Sequence, residues 1–365
     1  MEPVGRIILD MAPKPGNPRN SEGAFITLKD GRLLFVYSRF NGNSAADHAP
    51  ASLAALWSGD GGETWTPEKI ILTAEQDQAK NIMSVSLIRL LDGDIGLVYF
   101  LRRGFDDGKA HLRRSSDKGV TWSDPVSCVP ASGYYVTNND RIVRLRSGRL
   151  IVPGAFHRTR CGLDGSVTFN SFSTSLFFYS DDDGRTWSES TPCAISARSS
   201  RSGLQEPGVI ELQNGMLYGW ARTDLGVQYE MFSGDGGATW SAPQPSRFTS
   251  PCSPLSLKRD PLTGNLIALW NPIPEYITRP KPAGAWNGGR TPLVCSVSRD
   301  DGSSWEEPII LEDELDSGYC YIAMHFVHDE LLLAYCAGGP DDGGCLNRLR
   351  IRKLPVPGRD TAFRR

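Results

Sequence analysis

The 365-residue chain is predicted to be all-β: a six-bladed β-propeller with four-stranded antiparallel blades, forming one domain over residues 1–365. Three observations carry this expectation: an octapeptide that recurs five times, a hairpin pattern that recurs six times, and a composition rich in turn formers. With 38 Gly, 25 Pro, 39% hydrophobic and 22% charged residues, the chain is turn-rich yet carries enough apolar material for a core.

The octapeptide reads Ser-x-Asp-x-Gly-x-Thr/Ser-Trp and occupies Ser58 to Trp65, Ser115 to Trp122, Ser180 to Trp187, Ser233 to Trp240 and Ser298 to Trp305. Its aspartates Asp60, Asp117, Asp182, Asp235 and Asp300 stand 57, 65, 53 and 65 positions apart. Asp can bond the backbone of its own turn, Gly accepts the positive φ that closes it, and Trp packs beneath. Repeated about every 60 residues, such a staple suits the turn between the two outer strands of a blade. These carboxylates are therefore read as structural, and the spacing does not match a calcium loop.

Before each staple lies an alternating strand, a polar turn with Gly and a second apolar strand. The copies are AFITLKDGRLLFVYSRF from Ala24, VSLIRLLDGDIGLVYFLRR from Val85, RIVRLRSGRLIVPGAF from Arg141, GVIELQNGMLYGWAR from Gly208 and LSLKRDPLTGNLIALW from Leu255. A sixth, YIAMHFVHDELLLAY from Tyr321, has no staple after it. Its blade is expected to be completed by LRIRKL from Leu349 and an early strand around Arg6 to Leu9, so that the two ends of the chain close the ring.

A formal net charge of -3 gives no overall attraction for nucleic acid or an anionic membrane, so neither is an expected partner. No run of about 18 apolar residues is present, and residues 1–10 lack the basic-then-apolar order of an export signal. The expected compartment is the cytoplasm, the alternative being secretion or a periplasmic location with the signal removed. The eight cysteines are scattered, without a C-x-x-C pair, and are expected to be reduced and mostly buried. The sequence does not set the oligomeric state.

Five octapeptides on six hairpins resemble the Asp boxes of the sialidase superfamily, a likeness that covers nearly the whole chain. The family implies an exo-acting glycosidase that needs no cofactor and no metal. Three arginines hold the carboxylate of a sialic acid, a tyrosine is the nucleophile, a Glu takes its proton, and an Asp is the general acid and base. On this resemblance Arg19, Arg222 and Arg290 match the carboxylate-binding triad, and Arg39 matches a further first-blade arginine aimed at the sugar. Tyr319 matches the nucleophile, Glu206 its activator, and Asp47, in the loop 41–50, the acid/base. Tyr321 is a rival to Tyr319, since two residues on in a strand it would share the same face, and His48 is a rival to Asp47. The family usually continues the first arginine with an apolar residue and Pro. Here Asn20, Ser21, Glu22 and Gly23 follow, so Glu22 is expected to pair with Arg19 or contact a substrate hydroxyl.

Taken singly, an arginine at a strand end is ordinarily a solvated charge and a tyrosine on a strand ordinarily packing; the ordered set across four blades is what points to a site. Arg102, Arg103 and the run Asn138, Asn139 and Asp140 are placed either to line a pocket or to cap the structure, and His157, Trp270, Tyr276 and Trp286 fall in segments placed to line its rim. The implied substrate is an acidic sugar or glycan, cleaved as a terminal sialic acid or related 2-keto sugar acid with retention. The alternatives are a hydrolase or lyase acting on uronic-acid glycans and a non-catalytic glycan-binding propeller.

Overall fold

The computed structural model describes residues 4–273 and 288–359; Tyr276 and Trp286 lie outside the described residues. It is an all-β structure whose strands form four four-stranded antiparallel sheets and one nine-stranded sheet. All six expected hairpins are present as antiparallel pairs. Asn20–Thr27 pairs with Leu33–Phe40, Asn81–Arg89 with Ile95–Arg102, and Val143–Arg144 with Leu150–Cys161. Gln205–Glu211 pairs with Leu217–Arg222, Ser256–Arg259 with Leu266–Trp270, and Cys320–Val327 with Glu330–Cys336.

Within the nine-stranded sheet, the second and third hairpin groups are joined through a parallel bridge between Gly108 and Tyr134. Strand Arg6–Met11 lies against Leu349–Pro355, so the N-terminal and C-terminal segments share a sheet as expected. The first strands of neighbouring groups also touch: Asn20–Thr27 meets both Asn81–Arg89 and Cys320–Val327, and Ser256–Arg259 meets both Gln205–Glu211 and Cys320–Val327. Across the middle, Asn139 Nδ2 donates to the carbonyls of Gly23 at 2.8 Å and Tyr321 at 3.1 Å. Asp140 takes Lys258 Nζ at 2.7 Å and the amide of Met324 at 2.9 Å. These ties fix the strand starts on which the site is built.

The octapeptides act as staples between the third and outermost strands, as at 58–65 between Ala51–Ser58 and Lys69–Thr73. In that copy Asp60 Oδ1 accepts from Ser58 Oγ at 2.8 Å and the Thr64 amide at 2.9 Å, while Oδ2 takes Thr64 Oγ1 at 2.5 Å. Ser58 Oγ in turn takes the amide of Gly62, whose φ of 92° only glycine adopts without strain. The Trp closing each staple packs on a core cluster, as Trp65 does against Phe25 and Phe35. All five aspartates are thus engaged in their own turns. All eight cysteines are free thiols, six of them buried. Among the described residues no helix is long and apolar enough to cross a membrane.

Candidate active site

Four of the strand starts share one backbone irregularity. Glu22, Ser84, Glu206 and Tyr321 have φ of 49°, 58°, 47° and 58°. At each, three steps along the first strand oppose two on its partner, as where Cys320 pairs with Cys336 but Ala323 with Ala334. One extra residue per strand is a bulge: it turns the side chain at the left-handed position out of the ladder and toward the space between sheets. The four side chains line a common cavity of about 480 Å³.

Tyr321 Oη donates to Glu206 Oε1 at 3.1 Å, and Arg222 Nη2 donates to the same oxygen at 2.9 Å. Glu206 Oε2 is buried without a partner. Burial, reinforced by the Glu206 charge, pushes the Tyr321 phenol well above its usual value despite Arg222 and Arg290 nearby. Arg290 lies over the Tyr321 ring at 5.3 Å, and Arg222 and Arg290 both reach the carbonyl of Cys252, at 3.0 and 3.5 Å.

Arg19 is 1% exposed, stacks on Phe40 at 4.4 Å, and donates to Ser21 Oγ, Glu22 Oε2 and Asp47 Oδ1 at 3.0, 3.0 and 2.5 Å. The expected pairing of Glu22 with Arg19 is therefore present, and Ser21 and Ser84 also donate to Glu22. One guanidinium here faces two carboxylates. Asp47 sits on an exposed loop; crowding by its neighbours takes some water from its carboxyl, but Arg19, with Arg290 and Arg222, holds it below the usual range. Buried Glu22 is pushed up to about 7 by desolvation, which Arg19 offsets only in part and Asp47 augments. Arg19 and Arg290, with Asp47 between this space and the first cavity, line an adjoining cavity of about 530 Å³.

Two expectations are corrected. Tyr319 is not beside Glu206: its side chain is fully buried in an apolar cluster with Ile322 and Tyr335, and its hydroxyl has no partner. The bulge explains this, because the extra residue breaks the two-residue alternation and puts Tyr319 and Tyr321 on different sides. Arg39 does not reach the cavity either. It bonds Asn41 at 2.7 Å and pairs with Glu68 at 3.4 Å, beside the outermost strand. His48 is exposed at the cavity rim.

Sequence reasoning did not orient the far wall, which is made by Arg102, Tyr134, Val136, His157 and Phe169. Arg102 is 4% exposed, its Nε has no partner, and it lies 5.5 Å from the Phe105 ring; burial lowers its affinity for protons although Tyr134 works the other way, and among the described residues no carboxylate bonds it. Phe169 stacks on Phe105 at 5.5 Å and is carried by the long hairpin Leu150–Cys161 and Val167–Ser180. In a further cavity of about 430 Å³ between other sheets, Arg144 pairs with Asp183, Arg146 with Glu211 and Arg259 with Asp301, while buried Arg141 donates to the Leu255 carbonyl. Among the described residues no group of three or more His, Cys, Asp or Glu is placed to hold a metal ion.

A pocket with buried arginines, a tyrosine hydrogen-bonded to a glutamate and a carboxylate on a rim loop, set on stapled four-stranded sheets, defines a protein of the sialidase superfamily. The BNR repeat-like domain profile matches residues 57–332, and the chain belongs to that family. It is 28% identical to the sialidase of Vibrio cholerae over 226 residues, 56% of this chain and 27% of that protein, so it spans about a quarter of that relative's length. It is 23% identical to the Clostridium perfringens sialidase over 345 residues, 86% of this chain and 84% of that one. The solved structure of the Hadza microbial sialidase Hz136 shares the fold with a TM-score of 0.71 at 18% identity, covering 93% of this chain and 66% of that one.

Proposed function

We propose that the protein is a glycoside hydrolase of the sialidase type, releasing a terminal sialic acid or related 2-keto sugar acid with retention. The observation that carries the reading is the Tyr321, Glu206 and Arg222 constellation: a phenol donating to a carboxylate that a largely covered arginine also bonds. Tyr321 Oη attacks the anomeric carbon as Glu206 takes its proton, giving a tyrosyl intermediate. A neutral phenol suits this task because the substrate's own carboxylate crowds the anomeric centre with negative charge. Arg222 and Arg290 grip that carboxylate together with Arg19.

Asp47 is the acid and base. In the free protein Arg19 keeps it ionised, but a substrate carboxylate entering against Arg19 displaces it and raises its affinity for a proton. Loss of that ion pair on binding thus converts a base into an acid at the moment a leaving oxygen needs a proton. Arg102, to which no carboxylate among the described residues is bonded, takes a polar substituent of the sugar, and Phe105 and Phe169 cover its apolar flank. We read the sheets as six blades of one closed ring and the chain as a single domain, supported by the contacts between successive first strands and the shared terminal sheet. The unpaired thiols favour a reducing compartment, in keeping with the cytoplasm.

One observation favours a second substrate class. Arg19 is already bonded to Glu22 and Asp47, which leaves it less free to hold a substrate carboxylate. That supports a hydrolase or lyase acting on uronic-acid glycans. Release of fluorophore from a sialoside, run beside product analysis of uronide-containing oligosaccharides, separates the two: turnover of the first supports the sialidase reading, and turnover of the second alone replaces it.

A further inference from the structure

The far wall of the first cavity holds a cation for which the proposed chemistry supplies no anion. Arg102 ends the strand Ile95–Arg102, lines that cavity and is 4% exposed. The three carboxylates of the cavity are engaged elsewhere: Glu206 with Arg222, and Glu22 and Asp47 with Arg19. Among the described residues no carboxylate bonds Arg102, and its Nε is buried without a partner. A buried charge without a counterion is costly, and burial here weakens the arginine's hold on its proton.

Around it stands a cage of rings. Arg102 lies 5.5 Å from the Phe105 ring; Phe105 stands 5.8 Å from Tyr134 and 5.5 Å from Phe169, and Tyr134 stands 5.6 Å from Phe100 and 6.2 Å from His157. The cage closes because position 108, opposite Arg102 in the ladder, is glycine: a Cβ there would fall 2.6 Å from the Tyr134 ring and 2.8 Å from that of Phe100. His157 is held through Nδ1, which donates to the Asn170 carbonyl at 2.9 Å, and burial keeps it neutral, so it adds no charge at neutral pH.

From this arrangement we infer that Arg102 receives a second anionic group of the sugar, a sulfate ester, which makes the substrate class a sulfated acidic glycan. The inference rests on the glycosidase reading, which puts the sugar's own carboxylate at Arg222 and Arg290. Charge selects the sulfate over a phosphate ester. A sulfate monoester carries one negative charge, which one guanidinium matches, whereas a phosphate monoester carries close to two at neutral pH and would leave the second among aromatic rings. Shape selects it over a second carboxylate. Two sulfate oxygens take the guanidinium fork, and a third remains for the hydroxyl of Tyr134, which lies close enough to Arg102 to favour its charged form. A carboxylate has no third oxygen to offer.

The test reads binding rather than turnover. Methyl glycosides of N-acetylneuraminic acid and of glucuronic acid, each unsulfated and in its singly O-sulfated forms, are titrated into the full chain by calorimetry. At least one sulfated form should bind the wild type at least about tenfold more tightly than its unsulfated parent. In Arg102→Met that ratio should fall to within about twofold of one, and in Tyr134→Phe, which keeps the cation and removes the third donor, it should fall by about threefold. Where Arg102→Met does not fold, Arg102→Lys answers in its place: it keeps the charge without the fork and should lower the ratio by at least about threefold. The inference is overturned if no sulfated form outbinds its parent, or if the preference survives the loss of the Arg102 guanidinium. Neither of those results touches the glycosidase reading, which stands or falls on turnover of unsulfated sialosides and uronides by the wild type.

Discussion

Tyr321 Oη donates to Glu206 Oε1 over 3.1 Å, and the two residues come from strands 115 positions apart, each from a left-handed bulge at the start of its strand. The bulge turns what would be a ladder residue into a site residue, and its repetition at Glu22 and Ser84 makes the cavity a property of the repeat itself.

That relationship separates the two tyrosines experimentally. Tyr321→Phe removes the phenol bonded to Glu206 and should lower kcat on the cleaved substrate by about a thousandfold or more. Tyr319→Phe deletes a buried hydroxyl with no partner and should leave kcat within about threefold. Steady-state kinetics of both variants check this.

Glu206→Gln should lower kcat by about a hundredfold to a thousandfold, since the amide cannot take the phenolic proton although it retains the shape. Circular dichroism should show the fold unchanged, and KM should move far less than kcat.

Glu22 predicts a pH dependence of stability. Its folded-state pKa of about 7 lies above the unfolded carboxylate value. Between those two values the folded chain holds a proton that the unfolded chain has released, so this group's contribution falls as pH rises through the window. Thermal melts from pH 5 to pH 8 should show a decline that Glu22→Gln flattens.

The staples predict the opposite sign. Asp182 accepts from Ser180, the amides of Arg185 and Thr186, and the Thr186 hydroxyl, which hold it at about 2 although burial pushes the other way. Its contribution is complete above the unfolded carboxylate value and is lost as pH falls toward about 2. Asp182→Ala should lower the melting temperature by roughly 2–4 °C at neutral pH with kcat unchanged.

The fold was legible because its signals are local and repeated: each staple makes its bonds within eight residues, and each hairpin alternates around its own turn. The site was legible where a residue's place in the repeat sufficed, as for Glu206, Arg222 and the pairing of Glu22 with Arg19. It was not legible where a backbone irregularity intervened. Period-two alternation puts Tyr319 and Tyr321 on one face, and no residue type between Gly318 and Ile322 announces the bulge that parts them. Arg39 misled for a related reason: its partner Glu68 lies just outside the repeat pattern. Arg102 and Phe169 depend on how a long hairpin leans over the cavity, which is tertiary information.

The central claim is that Tyr321 is the nucleophile of an arginine-anchored glycosidase. Its most direct test is to trap the intermediate with a fluorinated sialosyl fluoride and map the labelled peptide by mass. One added sugar is expected on Tyr321, present in Tyr319→Phe and absent from Tyr321→Phe. A label on Tyr319, or turnover of sialosides that persists in Tyr321→Phe, would contradict it.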